Sequence, residues 1–386
     1  MIQMEELYEK ILTEMDLSKE VEDDELVEII HRILDEKGKE TYISLRQKSG
    51  LGKELFNAFR KLDILQELIE DDEITEIMIN GINNIFVEKQ GQILELEKRF
   101  ITRTKLEDVI QQIVAGSNRI VNEASPIVDA RLPDGSRVNV VLYPIALNGP
   151  IVTIRKFPKE NITMEQLVRL EAVGQEMIPF LKRLMEAKYN VFISGGTGSG
   201  KTTFLNALSD FIPKDERIIT IEDNAELRIQ NVPNLVRLEA RNANVEGTGE
   251  ITIRDLIKSA LRMRPSRIIV GEVRGREAID MLQSLNTGHC GASSGHSNSP
   301  EDMLSRLETM VLMAAGIDII IHLGRLRDRS RKLLQIVEVL GYEEGKIQLQ
   351  TLYEFQETKM VDGKIKGEWV KLHEIQNQEK LLAAGY

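Results

Sequence analysis

The chain has 386 residues, 42% of them hydrophobic and 29% charged, with a formal net charge of −12. That length suits roughly two or three domains, and no apolar run approaches the ~18 residues that a bilayer span needs. The single cysteine, Cys290, excludes an internal disulfide, and an acidic balance with only 5% aromatics argues against a nucleic-acid groove as the main feature.

The first residues, MIQMEELYEK, are acidic and lack a signal-peptide core, so the expected location is the cytoplasm. Residues 1–70 form an N-terminal helical region. Leu7, Ile11, Leu12 and Met15 recur at helical spacing, as do Leu26, Ile29, Ile30 and Ile33. Gly50 and Gly52 mark a break before a helix over about 53–69.

Residues 71–158 change character. EIMINGINNIFVEKQGQI predicts a strand, a turn at Asn80-Gly81, a second strand and a turn at Gln90-Gly91. Helical spacing resumes through Leu106, Val109, Ile110 and Ile113. ARLPDGSRVNVVL is a hairpin and PIVTIRKF another strand, which together make a small α+β domain. Its arginines Arg131, Arg137 and Arg155 sit on strands or beside turns, where solvation alone is one explanation for them.

Residues 159–174 are read as a linker leading into a short helix, with Thr163 and Gln166 as its capping box. From 175 to 386 helices and strands alternate. The helices are 175–187, 201–210, IRDLIKSALRM stopped by Pro265, and REAIDMLQSLNTG stopped by Gly288. The strands are 189–194, 217–223, 234–240 and 267–272. This alternation predicts an α/β domain with a mainly parallel sheet, whose ligands bind beyond the carboxyl ends of the strands. The tail segments IDIIIHL, LLQIVEVL and KIQLQTLYEF read as antiparallel strands that close the domain.

The stretch GGTGSGKTT carries the most specific chemistry. Gly195, four residues, then Gly200, Lys201 and Thr202 fit the phosphate-loop spacing, with a strand before and a helix after. Glycines let backbone N–H groups converge on phosphates, and the following helix aims its positive end at them. Gly195, Gly196, Thr197, Gly198, Ser199, Gly200, Lys201, Thr202 and Thr203 are therefore the predicted nucleotide-binding residues, with Lys201 on the phosphates and Thr202 on Mg²⁺.

Two acidic groups follow strands. Glu272 ends one, and a carboxylate there can polarise an attacking water, directly or through Mg²⁺. Glu222, Asp223 and Glu226 follow another and suit a metal-water site. NTGHCGASSGHSNSP holds His289 and His296 among glycines and small residues, which predicts a flexible backbone open to close approach. As metal ligands, His289, Cys290 and His296 lack a fourth partner at a usual spacing.

GGTGSGKTT, IEDNAEL, RIIVGEVRG and TGH…GHSNSPEDMLSRLETM, in this order and at these separations, resemble the type II/IV secretion ATPases. DARLPDGSRVNVV, GPIVTIRKF and LGRLRDRSR are similar to the tight-adherence (Tad, CpaF-like) pilus-assembly branch. The resemblance covers roughly residues 60–386. It implies a RecA-like P-loop NTPase core preceded by a small sensor-like α+β domain, with nucleotide bound between the two. It also implies a homo-oligomer, a hexameric ring, docked on inner-membrane platform proteins from the cytoplasmic side and using ATP with Mg²⁺ to move pilin or other substrate, with no direct nucleic-acid contact. The catalytic residues it implies are Glu272 as the Walker B glutamate, Glu222, Asp223 and Glu226 as the acidic box, His289 and His296 as the histidine box sensing the γ-phosphate, and Arg137 and Arg155 as arginine fingers.

Two departures from the family pattern bear on activity. Cys290 stands where an acidic residue is usual, in a histidine box one residue short, and RLETMVLMAA passes into GIDIIIHLGRLRDRSR without the family's further helix near Ala315. Both predict impaired turnover. Two alternatives therefore stand beside a pilus motor: a nucleotide-binding scaffold or regulatory ring subunit, and a conjugation-type DNA-transfer ATPase of the same superfamily.

Overall fold

The computed structural model describes residues 4–15, 21–117, 119–157, 161–241, 248–273, 277–286, 288–306, 316–344 and 346–386. It divides into two compact units, Met1–Lys159 and Glu160–Tyr386.

The first unit begins with helices α1 (Met4–Glu14), α2 (Asp23–Glu40), α3 (Leu45–Arg60) and α4 (Ile64–Glu70). Leu7, Ile11, Leu26, Ile30, Ile33 and Leu55 form the core of the first three. The helix break falls elsewhere than Gly50 and Gly52, which lie inside α3. A capping box between Ser44 and Gln47 starts α3, and the chain breaks at Asp63, whose φ is 53°. Because Leu65 and Leu68 pack with the sheet core, α4 belongs to the sheet and not to the helices before it.

That sheet comprises β1 (Ile74–Asn80), β2 (Asn84–Lys89), β3 (Gln92–Leu96), β4 (Ile127–Arg131), β5 (Arg137–Val141) and β6 (Ile151–Arg155). Its order among the described residues is β3-β2-β1-β6-β5-β4, with every pairing antiparallel. Buried residues alternate with exposed or half-buried ones along β5 and β6, and α5 (Arg103–Gly116) buries Leu106, Val109, Ile110 and Ile113 in the same core.

The second unit opens with α6 (Met164–Arg169), inside the segment read as a linker. Met164, Leu167 and Val173 are buried in the core of the second unit, so this segment is part of that unit. Then follow α7 (Ile178–Glu186), β7 (Val191–Gly195), α8 (Lys201–Ser209), β8 (Ile218–Glu222), β9 (Leu235–Glu239), α9 (Ile253–Ala260), β10 (Arg267–Val270), α10 (Glu277–Asn286), β11 (Cys290–His296), α11 (Pro300–Arg306), β12 (Ile319–Arg325), β13 (Arg331–Glu343), β14 (Lys346–Val361), β15 (Lys364–Lys371) and α12 (Glu379–Ala383). Among the described residues the sheet has nine strands, ordered β15-β14-β13-β12-β7-β11-β10-β8-β9.

Two strands correct the sequence reading. β12 is antiparallel to β13 but pairs in parallel with β7, so it belongs to the parallel core. The stretch holding the histidines is not flexible loop: it is β11, a buried strand between β7 and β10. Its small residues reflect crowding. A Cβ added at Gly291 would lie 2.7 Å from the Leu285 side chain and 2.8 Å from the Ile268 carbonyl. The missing helix expected near Ala315 falls within residues 307–315, outside the described residues.

Candidate active site

The carboxyl ends of β7, β8, β10 and β11 lie along one edge of the parallel core. The chain from Gly195 to Gly200 links β7 to α8 there. At Gly195, with φ 155°, a side chain is impossible, since a Cβ would lie 2.4 Å from the Leu323 carbonyl oxygen and 2.6 Å from Ser199 Oγ. Gly200, at φ 96°, is the N-cap of α8 and turns the chain so that the first N–H groups of the helix face the loop.

Lys201 is 7% exposed. Its ammonium donates to the carbonyls of Gly195 at 2.9 Å and Gly196 at 3.0 Å, and lies 3.1 Å from His296 Nδ1. His296 Nε2 in turn lies 2.7 Å from Glu272 Oε1. An ammonium only donates, so Nδ1 accepts and the ring proton is placed on Nε2, the nitrogen within ion-pair distance of the carboxylate though not in hydrogen-bond alignment with it. Lys201 at the start of α8, His296 at the end of β11 and Glu272 just after β10 thus form one polar chain.

The acidic cluster separates into three environments. Glu222 is 3% exposed, and its Oε1 accepts N–H bonds from Glu226 and Leu227, both at 2.8 Å. It fastens its own loop, packed so close to Gly271 that a Cβ there would be 2.9 Å from Glu222 Cγ. Burial pushes its carboxyl up to about 7, outweighing those two bonds. Asp223 is exposed in the bend after β8. Glu226 reaches the loop helix, where its carboxylate accepts from the Thr202 hydroxyl at 3.2 Å.

His289 does not share the site within this chain. It precedes β11, whereas His296 ends it, and seven strand residues span about 23 Å at ~3.3 Å each. The two histidines and Cys290 therefore cannot share a metal. Among the described residues no three His, Cys, Asp or Glu side chains cluster as metal ligands.

Arg137 and Arg155 belong to the first unit. Arg131, Arg137 and Arg155 are cross-strand partners in one row, which continues through Glu76 on β1 to Glu88 on β2. Arg155 Nε lies 3.4 Å from Glu76 Oε1, and the Arg137 guanidinium sits 6.0 Å from the centre of the Phe157 ring. Like charges facing each other across strands are unfavourable, which suits an anion on that face.

The chain matches the profile of the type II/IV secretion system protein family over residues 59–344. It belongs to that family. It is 33% identical over 309 residues to a putative conjugal transfer protein of Mycobacterium tuberculosis, covering 75% of this chain and 87% of that one. It is 32% identical over 280 residues to the type IV secretion system protein VirB11 of Brucella suis, covering 65% and 76%. The solved Legionella pneumophila ATPase DotB shares the fold, with a TM-score of 0.52 at 23% identity over 73% of this chain and 80% of that one. The second unit is accordingly a RecA-like P-loop core, as the family resemblance implied.

Arg331 on β13 was not singled out from the sequence, although it lies in LGRLRDRSR. Its Nε donates to the Gly198 carbonyl at 2.7 Å. It also borders a pocket of about 500 Å³ beside the loop, walled by Leu167, Ala172, Gly200, Phe204 and Leu333. A slot next to a phosphate loop with apolar walls and basic side chains of Arg329, Arg331, Lys332 and Lys364 along it has the size and lining for a nucleoside.

Proposed function

We propose that this chain is an ATP-hydrolysing motor subunit of a secretion, pilus-assembly or conjugal-transfer apparatus. The polar chain Lys201–His296–Glu272 carries the reading, because it joins the phosphate-loop lysine to a strand-end carboxylate through one imidazole. The loop fits a nucleotide: Ser199 Oγ and Ser297 Oγ are buried there without a hydrogen-bond partner among the described residues. Thr202 and Glu226 would hold Mg²⁺, which supplies neutralisation of phosphate charge. Lys201 would exchange the Gly195 and Gly196 carbonyls for phosphate oxygens. Glu272 orients the attacking water, and His296 reports the occupied loop to it. Three guanidiniums on one face of the first unit suit charge stabilisation on a transferring phosphoryl group, with Arg137 and Arg155 as the candidates.

The motor works as a homo-oligomeric ring, a hexamer, on the cytoplasmic side of the inner membrane against platform proteins. Among the described residues no helix is long and apolar enough to cross a membrane. The Tad-like motifs favour pilin as the cargo. The Mycobacterium tuberculosis relative, printed as a putative conjugal transfer protein, favours a second reading in which DNA transfer is the work driven. Cys290, one of the two departures that predict impaired turnover, is buried against the Lys188 carbonyl, at the opposite end of β11 from His296.

The test is Mg²⁺-dependent ATP hydrolysis, with sizing in the presence of an ATP analogue. Lys201→Ala and Glu272→Ala should each lower kcat by about 100-fold or more, and Glu272→Ala should still bind nucleotide. Wild-type turnover by Glu272→Ala refutes its role. Nucleotide binding without turnover by the wild type leaves the scaffold reading standing. Steeply salt-dependent DNA binding moves the assignment to DNA transfer.

A further inference from the structure

One buried histidine has no part in that chemistry. His322 on β12 is 6% exposed, and its Nδ1 lies 2.7 Å from Ser194 Oγ. Ser194 is fully buried and immediately precedes Gly195. His322, Ser194 and Gly295 stand in one row across the parallel strands β12, β7 and β11. That row faces α11: Phe192 and Ile320, two residues back on their strands, share a core with Met303 and Leu304, whereas Ile193 and Ile321 lie in the other core. On this side the Asn298 backbone favours the protonated imidazole, as a carbonyl close to a ring N–H does. Burial holds the ring below the ordinary histidine range, opposed by Glu301 and Asp302 of α11. A neutral ring donating to Asn298 leaves Nδ1 to accept the Ser194 hydroxyl.

Asn298 is two residues after His296. The same turn meets the phosphate loop directly, where Ser297 N–H donates to the Gly195 carbonyl at 3.4 Å. The His296 side chain is itself 36% exposed, so packing alone does not hold it and its aim depends on how its backbone is anchored. An aliphatic residue at 322 would fill a buried strand position without polar desolvation. The imidazole provides a connection that an aliphatic side chain lacks.

We propose that His322 is a positioning residue: its ring ties the last residue before the phosphate loop to the turn after His296, and so holds His296 between Lys201 and Glu272. The proposal rests on the ATPase reading above, and its test has an arm that needs no turnover. In ¹⁵N-histidine spectra of the full chain, His296 should show one fixed tautomer protonated at Nε2, and His322→Ala should convert it to an averaged signal. In the ATPase assay His322→Ala should lower kcat by on the order of tenfold with KM for ATP moved less than about twofold. His322→Asn, which keeps a polar atom near Nδ1, should recover much of the loss. In a His296→Ala background His322→Ala should add no more than about twofold, because the two act in series.

Unchanged His296 signals in His322→Ala, or losses that multiply in the double variant, overturn the proposal. Should His322→Ala fail to fold, Ser194→Ala carries the same comparisons. An inactive wild type counts against the ATPase reading alone, because the spectra still decide the role of His322.

Discussion

The two edges of the nine-stranded sheet handle buried polarity in opposite ways. At the amino edge the chain answers most of its own polarity, and of Arg267, Glu216 and Asn190 only Arg267 Nη1 is left over among the described residues. Fully buried Arg267 donates to both oxygens of Glu216, at 3.0 and 3.1 Å, and to the Met185 carbonyl at 2.8 Å. The Asn190 amide spans three segments: its Nδ2 donates to the Gly316 carbonyl, its Oδ1 accepts from Gly291 N–H, and its own N–H donates to Asp318. At the carboxyl edge Ser199 Oγ, Ser297 Oγ and Glu222 Oε2 are equally buried yet lack partners among the described residues. Depth does not separate the edges. One is largely closed for cohesion, and the other leaves several polar groups for something that arrives.

The sharpest way to break this contrast is at the amino edge. Arg267→Met leaves the Glu216 carboxylate buried without its cation, and should cost about 3–5 kcal/mol in urea unfolding. Pairing it with Glu216→Leu should recover most of that loss. Hydrolysis per folded molecule should stay within about twofold in both variants. A single-variant cost below about 1 kcal/mol would mean the pair adds little cohesion.

A smaller effect tests the other edge. Glu222 titrates at about 7 in the folded chain, against an ordinary carboxylate value of 4.5. A raised carboxyl favours the folded state at low pH, and that contribution is lost as pH climbs from about 4.5 through about 7. Glu222→Gln can still accept the Glu226 and Leu227 N–H bonds while removing the charge. It should therefore be more stable than wild type at pH 8, by on the order of 1–3 kcal/mol, and nearly equal to it at pH 5. Parallel stability–pH curves for the two proteins would show that the carboxylate is not held against its solvation.

What the sequence disclosed follows the range of the interactions. The phosphate loop was legible because Gly195 to Thr202 are contiguous and their spacing is dictated by the phosphates. Glu272 was legible because an acid at the end of an apolar strand stands out. Arg331 and His322 were not, since each meets its partner about 130 residues away, across pairings of β12 and β13 that local pattern does not register. β11 was misread because Gly291, Ala292, Ser293, Ser294 and Gly295 have the composition of a loop, and only the crowding by α10 and β10 makes small residues the right strand formers. The glycines of α3 misled in the same way: packing of the neighbouring helices outweighs a helix penalty of ~1 kcal/mol each.

The smallest expected effect belongs to the pair that the sequence grouped most naturally. His289 and His296 share one short motif, but β11 carries them to opposite edges. His296→Ala interrupts the link between Lys201 and Glu272 and should lower kcat about tenfold or more. His289→Ala removes a half-buried ring from the amino edge and should change kcat by less than about twofold. The comparison also tests the site boundary, because within one chain the His289 end of β11 lies about 23 Å along the strand from the loop. If both substitutions lower kcat alike, His289 must serve a nucleotide held by another copy of the chain, and the amino edge would then be functional as well as cohesive.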